Sequence, residues 1–499
     1  MQQVTQSLAF FRPEMALTVG LLLVVLVDST GARWRNGVTR FLTVATFVAA
    51  LVLALEMQSR GPSTAIWSGM VVVDPLGLFF KVLLIAASLL TVLLFTFQNS
   101  RELHGLGQGE FYALLIAVTF SNLLLASSND IAMLYLALEM VSLTSYVMVA
   151  YMKGDRMSNE ASLKYILFGA VSTGSMLYGL SLLYGMTGTT SLPGIQEYLA
   201  GGLSAGNQQA VYLISLFVFA GFGFKVAAVP FHFWCPDVYQ GAPTPVTAFL
   251  SVAPKAAGFA IMLRFFFGGF ALPGESAWDL SGTIDWPQVL MVVSVLTMTL
   301  GNVAALTQTN MKRLLAYSSI AHAGYIMMGV VALSENGARG MMIYLLAYLF
   351  MNLGAFLVVT LVHTHDGSFD LRDYPGLHRR APLLTLAMAV FLLSLVGIPP
   401  FVGFMGKLYV FAAVIEQGPA YYWYAMAGAI NAAIAAYYYF RVLKTMVIDA
   451  GNETKPALRL PALDTAWVVA LALANVAPLF FWGRVEQWAR GALTLYAGR

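Results

Sequence analysis

The sequence predicts an all-α polytopic membrane protein of about fourteen transmembrane helices, forming a single membrane domain over residues 1–499. Three observations carry this. The chain is 59% hydrophobic and only 10% charged, with a mean hydropathy of +0.75, whereas soluble domains run near 25% charged. The breakers between apolar runs are short (SSND, GDRMSNE, TQTNMKR, SENGARG) and leave no loop long enough for a soluble domain. Lysine and arginine segregate between alternate loops.

A span needs about 20 apolar residues. Read by run and breaker, the spans centre near Leu22, Phe47, Leu84, Val118, Met140, Ser175, Leu216, Ala257, Ser294, Tyr325, Phe350, Leu395, Ile434 and Leu471. The N-terminal MQQVTQSLAFFRPEM lacks a cleavage motif, so the first run is expected to be a retained span.

Loops after odd-numbered spans carry fifteen basic residues, among them Arg33, Arg35, Arg101, Lys153, Lys312, Arg313, Arg380, Lys444 and Lys455. Loops after even-numbered spans carry two, Arg60 and Arg339. The positive-inside rule then makes the odd loops cytoplasmic and puts both termini on the periplasmic side. Arg484, Arg490 and Arg499 in the tail run against that bias.

Composition excludes several functions. A net charge of +3, dispersed, gives no nucleic-acid footprint. The single Cys235 excludes internal disulfides, a cysteine zinc site and an iron–sulfur cluster. The six histidines are scattered without an HExxH pattern, and no GxGxxG on a strand–helix unit offers a dinucleotide site.

The informative residues are the ionisable ones left inside spans: Glu139, Lys164, Lys225, Lys255 and Lys407. Each costs roughly 2.5–3.5 kcal/mol at mid-membrane, so five facing lipid would cost about 12–17 kcal/mol. That rivals the whole stability of a domain, roughly 5–15 kcal/mol. They are expected to face protein, water or one another. Lys81 and Arg264 lie at more ambiguous depth, where a snorkelling or paired residue that only fixes helix packing is the simpler reading. Low dielectric disfavours a charged lysine and a nearby carboxylate favours it, so a Lys–Glu pair whose separation changes is a switchable proton site. The plainer alternative is that these groups only fix helix packing.

Helix breakers accompany the lysines. Pro230 follows Lys225 and precedes His232, Pro254 directly precedes Lys255, and Pro399–Pro400 precede Lys407. Broken helices are tolerated in lipid only where they line protein or a wet cavity, and interrupted helices in corresponding halves mark transporter sites. Lys225 and Lys407 are 182 residues apart, and the same step carries Glu139 to Ala321, beside His322. That suggests two inverted five-helix repeats, spans 4–8 over 109–270 and spans 9–13 over 285–448, with spans 7 and 12 broken. Chance spacing and a hydrogen-bonded core role for His322 are the competing readings.

NDIAMLYLALEMVSLTSYVMVAY, with Glu139, resembles span 5 of the antiporter-like subunits of proton-pumping NADH–quinone oxidoreductase, respiratory complex I. GFGFKVAAVPFHFWCPDVYQGAPTPVTAFLSVAPKAAG resembles that family's signature in spans 7 and 8, and NMKRLLAYSSIAHAGY and SLVGIPPFVGFMGKLYVF resemble spans 10 and 12. The resemblance covers nearly the whole chain. ALEMVSLTSYVM and the lysine at 407 resemble the N-type branch more than the M-type, and the long lateral helix of subunit L is not expected here.

The resemblance implies a proton channel: Glu139 paired with Lys225, Lys164 a further lysine, Lys255 a central relay, and Lys407 at the exit-side half-channel, with His232 and His322 assisting through water. It implies no cofactor or metal in this chain; NADH, FMN, iron–sulfur clusters and quinone would be handled elsewhere in the complex. The implied partners are neighbouring antiporter-like and small membrane-arm subunits, the lateral helix of subunit L, the lipid bilayer, protons and water. The implied location is the bacterial inner membrane. The family also includes subunits of multi-subunit cation/proton antiporters, which stand as the alternative. A lysine-rich interior favours protons over sodium, because a hard cation wants oxygen ligands. A structural spacer leaves the buried charges unexplained, and nothing specific supports a solute symporter.

Overall fold

The structure is a computed structural model describing residues 2–31, 34–58, 63–96, 101–103, 105–273, 278–280, 285–451 and 456–493. Of the basic residues used for topology, Arg33, Arg60, Lys455 and Arg499 lie outside the described residues. The helices are, in order, α1 (Gln2–Phe10), α2 (Arg12–Ser29), α3 (Arg35–Gln58), α4 (Pro75–Leu94), α5 (Gln108–Ser127), α6 (Ile131–Val149), α7 (Arg156–Thr187), α8 (Leu192–Ala200), α9 (Ala205–Val226) and α10 (Trp234–Gly241). There follow α11 (Thr244–Gly269), α12 (Trp286–Ala305), α13 (Met311–Val331), α14 (Glu335–Asp366), α15 (Leu377–Arg380), α16 (Pro382–Val396), α17 (Val402–Glu416), α18 (Tyr422–Val447), α19 (Ala462–Ala474) and α20 (Trp482–Gly491). Two antiparallel ribbons, β1 (Thr64–Ile66) with β2 (Val71–Val73) and β3 (Ala271–Pro273) with β4 (Trp278–Leu280), close loops.

Among the described residues ten helices are long and apolar enough to cross a membrane, or twelve if the bent pairs α1–α2 and α19–α20 each count as one span. This falls short of the expected fourteen partly because α16 and α17, at 15 residues each, are the halves of an interrupted run. Turn chemistry sets the boundaries. Asp74 caps α4 by accepting from the Gly77 amide at 2.7 Å, and Asp130, Asp155 and Asn310 cap α6, α7 and α13 in the same way. Prolines in the first turns of α4, α11, α12 and α16 sit where a missing N–H costs nothing.

The core is central. The membrane-crossing windows of α11, α13 and α14 are 100%, 94% and 89% buried, against 33% for α3 and 39% for α7. A central helix in an apolar bundle is apolar on every side, so a polar group on it has only protein to meet.

Two stretches of chain share a set of features. α5 and α12 have 20 residues each, α7 and α14 have 32, and α11 and α18 have 26. α7 and α14 both end on a left-handed glycine, Gly188 and Gly367. The Ile131 amide donates to the Thr190 carbonyl and Leu192 to Asn129; likewise Met311 donates to Phe369 and Leu371 to Thr309. In this register Glu139 answers to Ser319 and Ser142 to His322. At the interruptions Ala227–Pro230 answers to Gly397–Pro400, each pair opening with a left-handed residue. Lys225 therefore answers to Leu395 and Lys407 to Asp237. Lys225 precedes its break and Lys407 follows its own, a difference that the 182-residue step between them does not reveal.

Candidate functional site

α9 stops at Val226 because Ala227 turns left-handed (φ 60°) and Pro230 has no amide to continue the ladder. The Ala228 amide closes back on the Gly223 carbonyl at 2.7 Å, and the Val229 amide is taken by Thr297 Oγ1 at 3.0 Å. Trp234 opens α10, stacks on Tyr165 with centroids 4.4 Å apart, and donates its indole N–H to the Phe224 carbonyl at 3.0 Å. Lys225, in the last turn of α9, points inward and is 1% exposed. Its Nζ donates to Ser142 Oγ at 3.2 Å, while Ser142 donates to the Leu138 carbonyl.

Glu139 is half-buried on α6, one turn from Ser142, within electrostatic reach of Lys225, Tyr135 and Tyr146. Among the described residues no ion pair joins it to Lys225, whose Nζ bonds the Ser142 hydroxyl.

Lys255 lies one residue after Pro254 in α11 and is 3% exposed. Its Nζ donates to Ser319 Oγ at 2.6 Å and to the Ser319 carbonyl at 3.2 Å, and it sits 5.7 Å from the Tyr239 ring centroid. One turn along α13, His322 bonds the Tyr344 hydroxyl at 2.9 Å through Nδ1 and the Tyr439 hydroxyl at 3.2 Å through Nε2. Tyr439 also bonds Ser318. Lys407, in α17, donates to the carbonyls of Leu395 (3.2 Å) and Val396 (2.7 Å) and lies 4.7 Å from the Tyr325 ring. The Tyr325 hydroxyl accepts from Asn302, which in turn accepts from Tyr438.

The structure thus gathers Lys225, Lys255 and Lys407, with His322, into the buried interior of α6, α9, α11, α13, α14, α17 and α18. Among the described residues the hydrogen-bond partners of each lysine are neutral oxygens.

Lys164 does not belong to this group. It lies in an early turn of α7, is 38% exposed, and is held by Asp237 at 2.7 Å and Glu160 at 2.8 Å. Asp237 also accepts from Arg313, so this cluster is a surface clamp between α7, α10 and α13. His232 is buried in the turn before α10 against Phe233, with its Nδ1 lacking a hydrogen-bond partner among the described residues.

Lys81 and Arg264 take the paired form of the packing role expected for them and do not snorkel. Lys81 is wholly buried and 2.7 Å from the equally buried Glu14, and Arg264 makes a double contact with Asp74 (2.8 Å through Nη1) plus a bond to the Ala126 carbonyl. Sequence reading passed over Glu14 and Asp74 because each lies at a helix start, where a carboxylate reads as a cap or a loop charge. It also passed over Ser319, Tyr344 and Tyr439. The signal for Ser319 and Tyr439 was the spacing of SSIAH and YYY against the buried lysines, visible only once the helices are docked.

Residues 128–435 match the family model described as NADH:quinone oxidoreductase/Mrp antiporter, transmembrane. The chain is 46% identical over 513 aligned positions to NADH-quinone oxidoreductase subunit N of Anaeromyxobacter sp. (strain Fw109-5), covering 99% of this chain and 98% of that one. It is 44% identical to the protein of the same name from Moorella thermoacetica, covering 93% of each. Among solved structures it resembles a chain of respiratory complex I from Thermus thermophilus with bound aureothin, at TM-score 0.78 and 32% identity over 96% of this chain and 100% of that one. A chain of the Mrp complex from Dietzia sp. DQ12-45-1b shares the fold at TM-score 0.82 and 20% identity, covering 98% of both. Near-complete coverage by relatives of one name, over the segments that hold the lysines, leads to one statement: the chain belongs to the NADH-quinone oxidoreductase subunit N family.

Proposed function

We propose that this chain is a proton-translocating membrane-arm subunit of a bacterial NADH–quinone oxidoreductase, with Lys225, Lys255 and Lys407 as proton-transfer residues. The observation that carries the reading is the set of three buried lysines bonded, among the described residues, to neutral oxygens, with His322 and its tyrosines among them. A proton leaving one lysine is taken up by water or the next basic group, and Glu139 supplies the charge that returns Lys225 to its protonated form. His322 has a hydroxyl at each ring nitrogen, so it passes a proton by exchanging tautomers. Lys164 acts at the surface clamp, and His232 lines the first break.

Fourteen spans agree with the helices, since each centre from Leu22 to Leu471 falls in a different one. Two inverted repeats over 109–270 and 285–448 agree with the matched helix lengths, glycine caps and breaks; the five-span step between them is odd, so the second repeat runs oppositely across the membrane. Periplasmic termini follow from the loop charges. Quinone reduction and its NADH, FMN and iron–sulfur chemistry belong to other subunits, and the exposed apolar faces of this chain meet lipid and neighbouring membrane-arm subunits. Relatives at 39–46% identity over nearly the full length favour this reading over a cation/proton antiporter.

The test is Lys225→Ala in the assembled complex. Proton transfer by positioned groups typically contributes about 10²–10⁴-fold, so coupled NADH–quinone turnover and proton uptake by proteoliposomes are expected to fall at least about 10-fold. Wild-type pumping in a fully assembled variant rejects the assignment.

A further inference from the structure

Helix α12 holds a buried amide that the lysine row leaves unused. Asn302 is 0% exposed. Its Nδ2 donates to the Tyr325 hydroxyl at 3.2 Å and to the Asn431 carbonyl at 3.1 Å, with Asn431 Oδ1 at 3.2 Å. Its Oδ1 accepts from the Tyr438 hydroxyl at 3.2 Å. Asn431 itself donates to Thr299 Oγ1 at 3.1 Å and to the Ala427 carbonyl at 3.0 Å. One side chain thus ties α12 to α13 and α18 with both ends of its amide bonded. An amide is costly to bury, and an apolar residue of the same size would pack α12 without needing these bonds.

The bonds lead to the groups around Lys407. The Tyr325 ring faces Lys407 Nζ, 4.7 Å from its centroid, and meets the His322 ring at 6.0 Å. His322 and Tyr325 are three residues apart on α13, so they share one face of that helix. The Tyr325 ring therefore contacts both the imidazole and the ammonium, and its hydroxyl is held by Asn302. The second contact, Tyr438, packs on Tyr439 with centroids 4.3 Å apart, and Tyr439 bonds His322 Nε2.

We propose that Asn302 is a positioning residue for proton transfer at Lys407: its amide fixes the Tyr325 hydroxyl, and with it the ring face against which the ammonium sits. The proposal rests on the reading of Lys407 as a proton-transfer residue. The face of an aromatic ring favours a charged ammonium, most strongly where water is excluded. The tilt of the Tyr325 ring therefore bears on how readily Lys407 keeps its proton. The other groups around Lys407 are fixed by different contacts. Besides Tyr325, α13 presents His322, and α14 presents Tyr344 beside Gly406. Arg339 of α14 lies further along, over Tyr409 and paired with Glu486. α16 presents two carbonyls and no charged side chain, and α18 carries Arg441 and Lys444 only towards its end.

The test is the pH dependence of proton uptake by proteoliposomes holding the intact complex. In Asn302→Leu the alkaline limb of uptake is expected to move to lower pH by about half to one unit, because a displaced ring favours the cation less. At a fixed pH on that limb, uptake falls about 3–10-fold. Tyr325→Phe keeps the ring and removes only the bond, so it is expected to move the limb in the same direction. The double variant is expected to move it no further than the larger single change. If Asn302→Leu fails to assemble, Tyr325→Phe carries the test. A merely structural role lowers uptake equally at every pH and leaves the limb in place, which overturns the proposal; additive shifts in the double variant overturn it too. Lys407→Ala separates the two readings. Wild-type pumping in that variant rejects Lys407 as a proton-transfer residue, whereas lost pumping there with unmoved limbs in the other variants rejects only the role of Asn302.

Discussion

The two interrupted helices leave the same problem and solve it differently. Each break strands the last carbonyls of the helix before it. At α16 the carbonyls of Leu395 and Val396 are capped by Lys407, which reaches back from the following helix. The cation sits at the negative end of a helix, where it is favoured. At α9 the Phe224 carbonyl accepts from both the Ala227 amide at 3.2 Å and the Trp234 indole at 3.0 Å, and the lysine on that side, Lys225, turns away to a hydroxyl on α6. An aromatic cap at one break frees a lysine, whereas the other break holds its lysine as the cap. The lysines therefore differ in what a proton loss would disturb: at Lys225 a single side-chain contact, at Lys407 the seal of a helix end.

Three substitutions probe that contrast. The largest expected effect is Trp234→Ala, which removes the carbonyl cap and a stacked ring; large aromatic truncations cost about 3–5 kcal/mol. It is read as loss of this subunit from the complex on heating, and a shift worth less than about 1 kcal/mol means the indole is not the cap. Next is Gly403→Ala. A methyl group there would lie 1.8 Å from the Ser394 carbonyl oxygen, so α17 must move off α16 and carry Lys407 from its carbonyls. Overpacking costs about 1–3 kcal/mol, and pumping is expected to fall with it; full pumping would mean that Lys407 does not need that seat. The smallest is Ser142→Ala, costing about 1–2 kcal/mol for the lost partner. It spares assembly and slows proton uptake at constant quinone reductase content. No change in uptake means that Lys225 answers to water or Glu139 rather than to the hydroxyl.

Much of this architecture was legible before any coordinates. Long apolar runs declare helices because unpaired backbone is intolerable in lipid, and the breakers Pro230 and Pro399–Pro400 declare where two of them stop. Lys225, Lys255 and Lys407 stood out because a charge inside an apolar run is costly unless it faces protein, water or a partner. Lys164 looked the same in one dimension yet lies at a helix start beside Glu160 and Asp237. A run of sequence gives depth only to within a turn or two, and one turn separates a buried ammonium from a surface clamp.

Sequence alone determined the membrane class, the helical content, the two breaks and the ionisable groups that fall within apolar runs, because hydropathy and proline chemistry act locally along the chain. It also carried the family, through motifs that surround those groups. Only the tertiary structure decided partners. Glu14 with Lys81, Asp74 with Arg264, Ser319 with Lys255 and Tyr439 with His322 join residues far apart in the chain. The same is true of which lysine caps a helix and which is free. Such pairings depend on how helices dock and rotate against one another, and helices that are apolar on nearly every side carry no stripe from which that rotation can be read.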